Sequence, residues 1–145
     1  MNKTKAEYQE IVKKASPDGG LPLSCVKAFA VGGLICVLGQ FVTNLYLIAG
    51  TPKDTASVYT SVILIFLGVL LTGLGVYQKL GKFAGAGSIV PITGFANSVA
   101  SPALEFKAEG YIFGVGAKMF IIAGPVIVYG VTTSIVIGLI YYFFR

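Results

Sequence analysis

Between Leu104 and Met119 the chain carries Glu105, Lys107, Glu109 and Lys118, the charges that separate its last two long uncharged windows. Glu105 and Glu109 stand four apart, so on a helix their carboxylates share a face. Such a pair attracts a cation such as Ca²⁺, and Lys118 attracts an anion, which together would make an ion or substrate mouth. Just upstream, GAGSIVPITGFANSV, residues 85–99, has no charge, yet it holds Gly85, Gly87, Pro91 and Gly94 where a smooth apolar helix would otherwise run. A helix through these residues loses about 1 kcal/mol per glycine and about 3 kcal/mol at an interior proline, relative to alanine. Hydrocarbon offers no water to the backbone groups freed in this way, so the run must face either a hydrated path or a tightly packed protein interior. Asn97 and Ser98 beside it, and the amides of Gln40 and Asn44 one turn apart in the first apolar run, are further groups able to replace water around a polar solute. Two plainer readings stand beside this one. The run is a kinked packing helix with glycines for close contact, and the charged stretch is a solvated loop whose Lys118 snorkels to the interface.

Other chemistry finds little support. Histidine is absent, and no nucleophile with a base, carboxylate dyad or cofactor fingerprint is present, so an enzyme or a bound cofactor is not expected. Cys25 and Cys36 are eleven positions apart, without a CxxC, and read as small packed thiols rather than a metal site or disulfide.

The elements that must position these residues are membrane helices. Of 145 residues, 55% are hydrophobic and 12% charged, and the mean hydropathy is +0.82, which is more apolar surface than one soluble core of this size can bury. The excess of 11 Lys+Arg over 6 Asp+Glu suits cytoplasmic loops beside anionic lipid, and nucleic acid is not expected as a partner. Residues 1–20 form a polar arm: Thr4 with Glu7 fits a capping box, Tyr8, Ile11, Val12 and Ala15 follow helical spacing, Glu10 precedes Lys14 by four, and the residues from Ser16 to Gly20 stop the helix. Such a helix lies on headgroups or docks a soluble partner. No cleaved leader is expected, because the first apolar run is too long for one.

Residues 21–145 then read as one transmembrane domain. Its uncharged windows run from Ala28 to Pro52, Thr55 to Gln78, Phe83 to Leu104 and Met119 to Phe144, each longer than the ~20 residues a spanning helix needs. The fold class expected is all-α, a polytopic bundle of about four membrane segments with the third broken or re-entrant. Small residues mark where helices would touch: Gly68 with Thr72, the GxxxG of Gly110 and Gly114, and Gly130, Ser134 and Gly138 spaced by four. These faces serve packing within the subunit or a homo- or hetero-oligomer. Pro125 should kink the last helix. Lysines in the arm and at Lys79 and Lys82 put the amino terminus and the second loop on the cytoplasmic side. If residues 83–104 cross, there are four spans and both termini are inside; if they dip in and return, there are three and the carboxyl end is outside. Lysine counting decides only weakly between them, since the re-entrant form loses Arg145 from the inside but gains Lys107 and Lys118, and four spans are the arrangement expected.

The run GFANSVASPALEFKAEGYIFGVGAKMFIIAGPVIVYG, with GGLICVLGQ in the first apolar run and the GAGSIVPITGF break, closely resembles the SpoVA family of bacterial sporulation membrane proteins, over nearly the whole chain. The resemblance implies a subunit of the complex that moves dipicolinic acid, as its Ca²⁺ chelate, across the inner membrane of the developing and germinating endospore. It also implies neighbours, including the proteins AEb and AD of the same family system. It brings no catalytic residues. A path lined partly by residues 85–104 and opened by bilayer tension is the corresponding expectation, with a structural or assembly subunit as its rival. A small secondary transporter is disfavoured, because the two halves share no matching motif.

Overall fold

The computed structural model describes residues 8–12 and 20–144, and the capping box, Lys14 and the stop at residues 16–19 lie outside the described residues. Residues 8–12 are helical, as the spacing in the arm predicts. All other regular structure described is also helical, so the all-α expectation holds among the described residues.

Helix α1, Leu21–Ile48, begins well before the uncharged window and takes Lys27 into its early turns. Pro22 makes this start possible, since a first-turn residue has no intrahelical partner for the N–H that proline lacks. Helix α2, Lys53–Gly73, follows a turn through Gly50, whose φ is 85°, and it pairs with α1. A Cβ on Gly39 would sit 3.3 Å from Leu64, and the Thr43 and Thr60 hydroxyls meet at 2.9 Å across the pair. Both ties join early residues of one helix to late residues of the other, so the two run antiparallel.

After α2 the second uncharged window does not continue as predicted. Gly75, at φ 70°, turns the chain into a separate short helix, α3, Val76–Ala84. Gly85, at φ 52° and ψ −123°, occupies backbone space open essentially to glycine, and turns it again into α4, Ala86–Ile89. Pro91 then caps α5, Ile92–Glu105, which runs on through Pro102. A 3₁₀ turn, Phe106–Glu109, and a π-helical turn, Tyr111–Gly116, lead into α6, Phe120–Phe144.

The third window folds back on itself as a helical hairpin. Gly87 of α4 packs on Ala28 near the start of α1, and Val90 and Pro91 line a groove with Gly33 and Cys36, so α4 climbs alongside α1. Helix α5 then descends alongside α2: Thr93 packs on Gly68, Asn97 bonds to Thr72, and Ser101 and Glu105 share a cleft with Gly75 and Gln78. The apex at Val90 and Pro91 therefore reaches only the level of Cys36, partway along α1, before the chain returns to the face it left. Three helical segments, Leu21–Ile48, Lys53–Gly73 and Tyr111–Phe144, are long and apolar enough to cross a membrane. The four-span arrangement expected from the sequence thus gives way to three helices able to cross and a hairpin. The reason is physical: Pro91 stands in the middle of the window, and the two halves gain more by packing side by side on α1 and α2 than by continuing in line.

Helix α6 continues through Pro125 and touches the rest of the described chain mainly near its start, where Ala123 is fully buried. Beyond residue 124 its residues are exposed.

Candidate functional site

The hairpin is held by one phenol. Tyr77, 3% exposed, sits on the inner face of α3 and reaches both limbs: its hydroxyl donates to the Ser88 carbonyl at 2.6 Å and lies 3.0 Å from the Thr93 hydroxyl. A phenol has one hydrogen, so with the carbonyl as its acceptor it takes the Thr93 hydrogen in return. Burial pushes the Tyr77 phenol above its ordinary range, partly offset by the Thr93 bond, which keeps it protonated and able to donate. Ser88 in turn donates to the Gly85 carbonyl at 3.0 Å. The Ser88 and Gly85 carbonyls at the break therefore find partners inside the protein, as hydrocarbon requires.

Glycine allows the limbs to close. A Cβ on Gly94 would run into the carbonyls of Ser88 and Ile89, and one on Gly87 into the Ala28 backbone. Gly68 is similarly tight, with the Thr93 carbonyl 3.0 Å from where a Cβ would lie. Gly87 and Gly94 are buried, whereas Gly85 is an exposed turn and Pro91 is half-buried at the apex. Of the residues expected to line a path, these glycines are thus packing residues first.

The opening lies lower, between the ends of α2 and α5 and the start of α3. A cleft of about 410 Å³ is lined there by Thr72, Gly73, Gly75, Gln78, Asn97, Ser101, Leu104 and Glu105. Thr72 Oγ1 is 2.7 Å from the Gly68 carbonyl and 2.9 Å from Asn97 Oδ1. Since one hydroxyl carries one hydrogen, donation to Gly68 leaves it accepting from the amide, with the Asn97 amide turned accordingly. Hydroxyl, amide and carboxylate groups thus line one open cleft beside a membrane helix.

The remaining residues lie apart from it. Ser98 donates to the Phe95 carbonyl at 2.7 Å, away from the cleft lining. Glu109 belongs to the 3₁₀ turn, so Glu105 and Glu109 do not share one regular helix. Lys118 holds its Nζ 4.8 Å over the centre of the Phe106 ring, a cation–π contact that answers how a lysine so close to an apolar helix is stabilised. Gln40 donates to Asn44 at 2.8 Å on the exposed side of α1. The thiols of Cys25 and Cys36 are exposed rather than packed. Gly110, at φ 93°, makes the reversal after the 3₁₀ turn, and Gly114 is buried against Phe106 and Glu109, so this GxxxG is a folded corner and not a helix stripe. Gly68 and Thr72 do form a packing face, whereas Gly130, Ser134 and Gly138 lie exposed on α6.

Sequence reasoning missed Tyr77, Gln78 and Ser101. The signal for the first two was Gly73 and Gly75, which punctuate the end of α2 and detach Tyr77 from it.

Comparison with known proteins agrees with this membrane architecture. A family model described as SpoVAC/SpoVAEB sporulation membrane protein matches residues 24–140. Stage V sporulation protein AC of Bacillus subtilis (strain 168) is 48% identical over 146 aligned positions, covering 100% of this chain and 97% of that protein. No solved structure matches significantly. The family match takes in the hairpin, the cleft and nearly all of the three long helices, and the chain belongs to the SpoVAC/SpoVAEB family of sporulation membrane proteins.

Proposed function

We propose that this chain is a membrane channel subunit that moves dipicolinic acid, as its Ca²⁺ chelate, across the inner membrane of the spore during sporulation and germination. The observation that supports the reading is the re-entrant hairpin with the polar cleft at its mouth, where Thr72, Gln78, Asn97, Ser101 and Glu105 meet. A flat dicarboxylate carrying Ca²⁺ keeps part of its hydration, and the hydroxyls, amides and one carboxylate can exchange for those waters one at a time. The cleft is the entry to the path, and the hairpin apex, which closes the way beyond it, is the gate. With three spans, Lys27, Lys79, Lys82 and Lys107 share one face and Lys53 with Asp54 the other, which orients the lysine-rich face and the amino terminus to the cytoplasm. Bilayer tension is the proposed trigger, since thinning the membrane strains a hairpin that reaches only partway in. The pore is formed by several subunits, homomeric or together with the proteins AEb and AD, because three spans are too few to ring a solute path.

A test must spare the packing glycines, since Gly94→Leu would break the hairpin whatever its role. Asn97→Leu and Glu105→Gln change the lining and leave the backbone intact. Spores carrying either variant, with the protein present at normal level in the membrane, should accumulate several-fold less dipicolinic acid; normal accumulation and release would refute the lining role.

The second reading is an assembly subunit whose conduit is formed by another protein. It is favoured by the bare face of α6, where Gly130, Ser134 and Gly138 lie exposed with no partner helix among the described residues. Conductance of the purified chain alone in liposomes under tension separates the two.

A further inference from the structure

Helix α3 has an outward surface that the hairpin leaves unused. Tyr77, Leu80, Gly81 and Ala84 follow helical spacing and turn inward, with Tyr77 and Ala84 buried. Val76, Gln78, Lys79, Lys82 and Phe83 are exposed on the other side. At about 100° per residue, Lys79 and Lys82 straddle the middle of that side, with Val76 and Phe83 on one flank and Gln78 on the other. Lys27, from the early turns of α1, joins them, its Nζ 5.0 Å from the centre of the Phe83 ring. Lys27 beside that ring, and Lys82 and Lys79 on the same short helix as Phe83, thus gather where α1 begins and α2 ends. Among the described residues no carboxylate comes within ion-pair distance of these lysines.

We propose that Lys27, Lys79 and Lys82 seat the phosphate of an anionic phospholipid, with Val76 and Phe83 against the upper part of its acyl chains. The apolar flank selects a lipid over a free anion, which would leave Val76 and Phe83 uncovered. A zwitterionic headgroup brings its own cation and fits less well. Each lysine near an anionic surface contributes roughly fivefold to the preference. The same short helix carries Tyr77, which holds Ser88 and Thr93, so a headgroup that fixes α3 also fixes the hairpin apex. The seat stands whether or not the cleft conducts.

The test uses the full chain in detergent, titrated with phosphatidylglycerol or phosphatidylcholine and followed by native mass spectrometry and by hydrogen exchange at residues 86–94. Phosphatidylglycerol should bind at least about tenfold more tightly and slow exchange at the apex. Lys79→Gln with Lys82→Gln should remove most of the difference, Lys79→Arg with Lys82→Arg should keep it, and Lys53→Gln, on the opposite face, should not change it. Equal binding of the two lipids would overturn the proposal, as would a preference that survives the double glutamine variant. If millimolar inorganic phosphate slowed exchange as well as the lipid does, the seat would belong to a soluble anion and the lipid assignment would fail.

Discussion

Glycines in the hairpin and glycines on α6 have opposite surroundings. A Cβ on Gly87 or Gly94 would run into backbone carbonyls, so no side-chain atom fits, whereas one on Gly130 or Gly138 would meet nothing within 4 Å. Both regions carry small residues in a membrane protein, yet the first has its partner within the chain and the second has none among the described residues. The difference shows what small-residue spacing encodes. It tells where a backbone can approach closely, and leaves open whether the approaching helix belongs to the same chain. The hairpin is therefore a finished unit, and α6 is a surface that a neighbouring subunit can complete.

The largest effect should come from adding one methyl to each region in turn. Gly94→Ala should destabilise the folded chain by about 1–3 kcal/mol or more, because the clash is with backbone carbonyls that cannot swing aside. Gly130→Ala with Gly138→Ala should leave the single subunit as stable, or firmer by up to about 1 kcal/mol per site, while weakening any assembly that uses the face. Thermal unfolding in detergent, beside native mass spectrometry of the assembled state, reads both. Equal losses in the two regions would erase the contrast.

A smaller effect isolates the polar tie from the packing. Tyr77→Phe keeps the ring and leaves the Ser88 carbonyl and Thr93 hydroxyl short of a partner, at about 1–3 kcal/mol. Hydrogen exchange should quicken at residues 86–94 and stay unchanged along α6. The smallest is Lys118→Met, which removes the contact with Phe106 and should shift stability by no more than about 1 kcal/mol, since an apolar replacement also relieves the burial of a charge. Thermal unfolding is again the measure.

Much of this architecture was legible in the residues, and the failures have definite causes. Hydropathy located the first, second and last spans, because a run of apolar residues in water or lipid has few alternatives. The break at Pro91 was legible for the same reason, since proline forfeits a donor wherever it stands. Its consequence was not: a window of sufficient length reads as a span, and only the contacts of Thr93 with Gly68 and Asn97 with Thr72 show that the second half runs back. Lysine counting weighed Arg145 against Lys107 and Lys118, too small a difference to decide. Within the candidate site, Asn97 and Glu105 were recognised by type, whereas Tyr77 acts across 11 and 16 residues and leaves no local pattern. Gln40 and Asn44 were rightly placed on one face, but the face is outward and away from the cleft.

The account rests on residues 83–104 entering and leaving by the same side of the membrane. In a background with Cys25→Ser and Cys36→Ser, single Lys82→Cys and Lys107→Cys variants in sealed, oriented vesicles can be labelled with an impermeant maleimide. Both should react from the same side, with Lys53→Cys reacting only from the other. Labelling of Lys82→Cys and Lys107→Cys from opposite sides would mean that the segment crosses, and the re-entrant hairpin and the gate assigned to it would both be wrong.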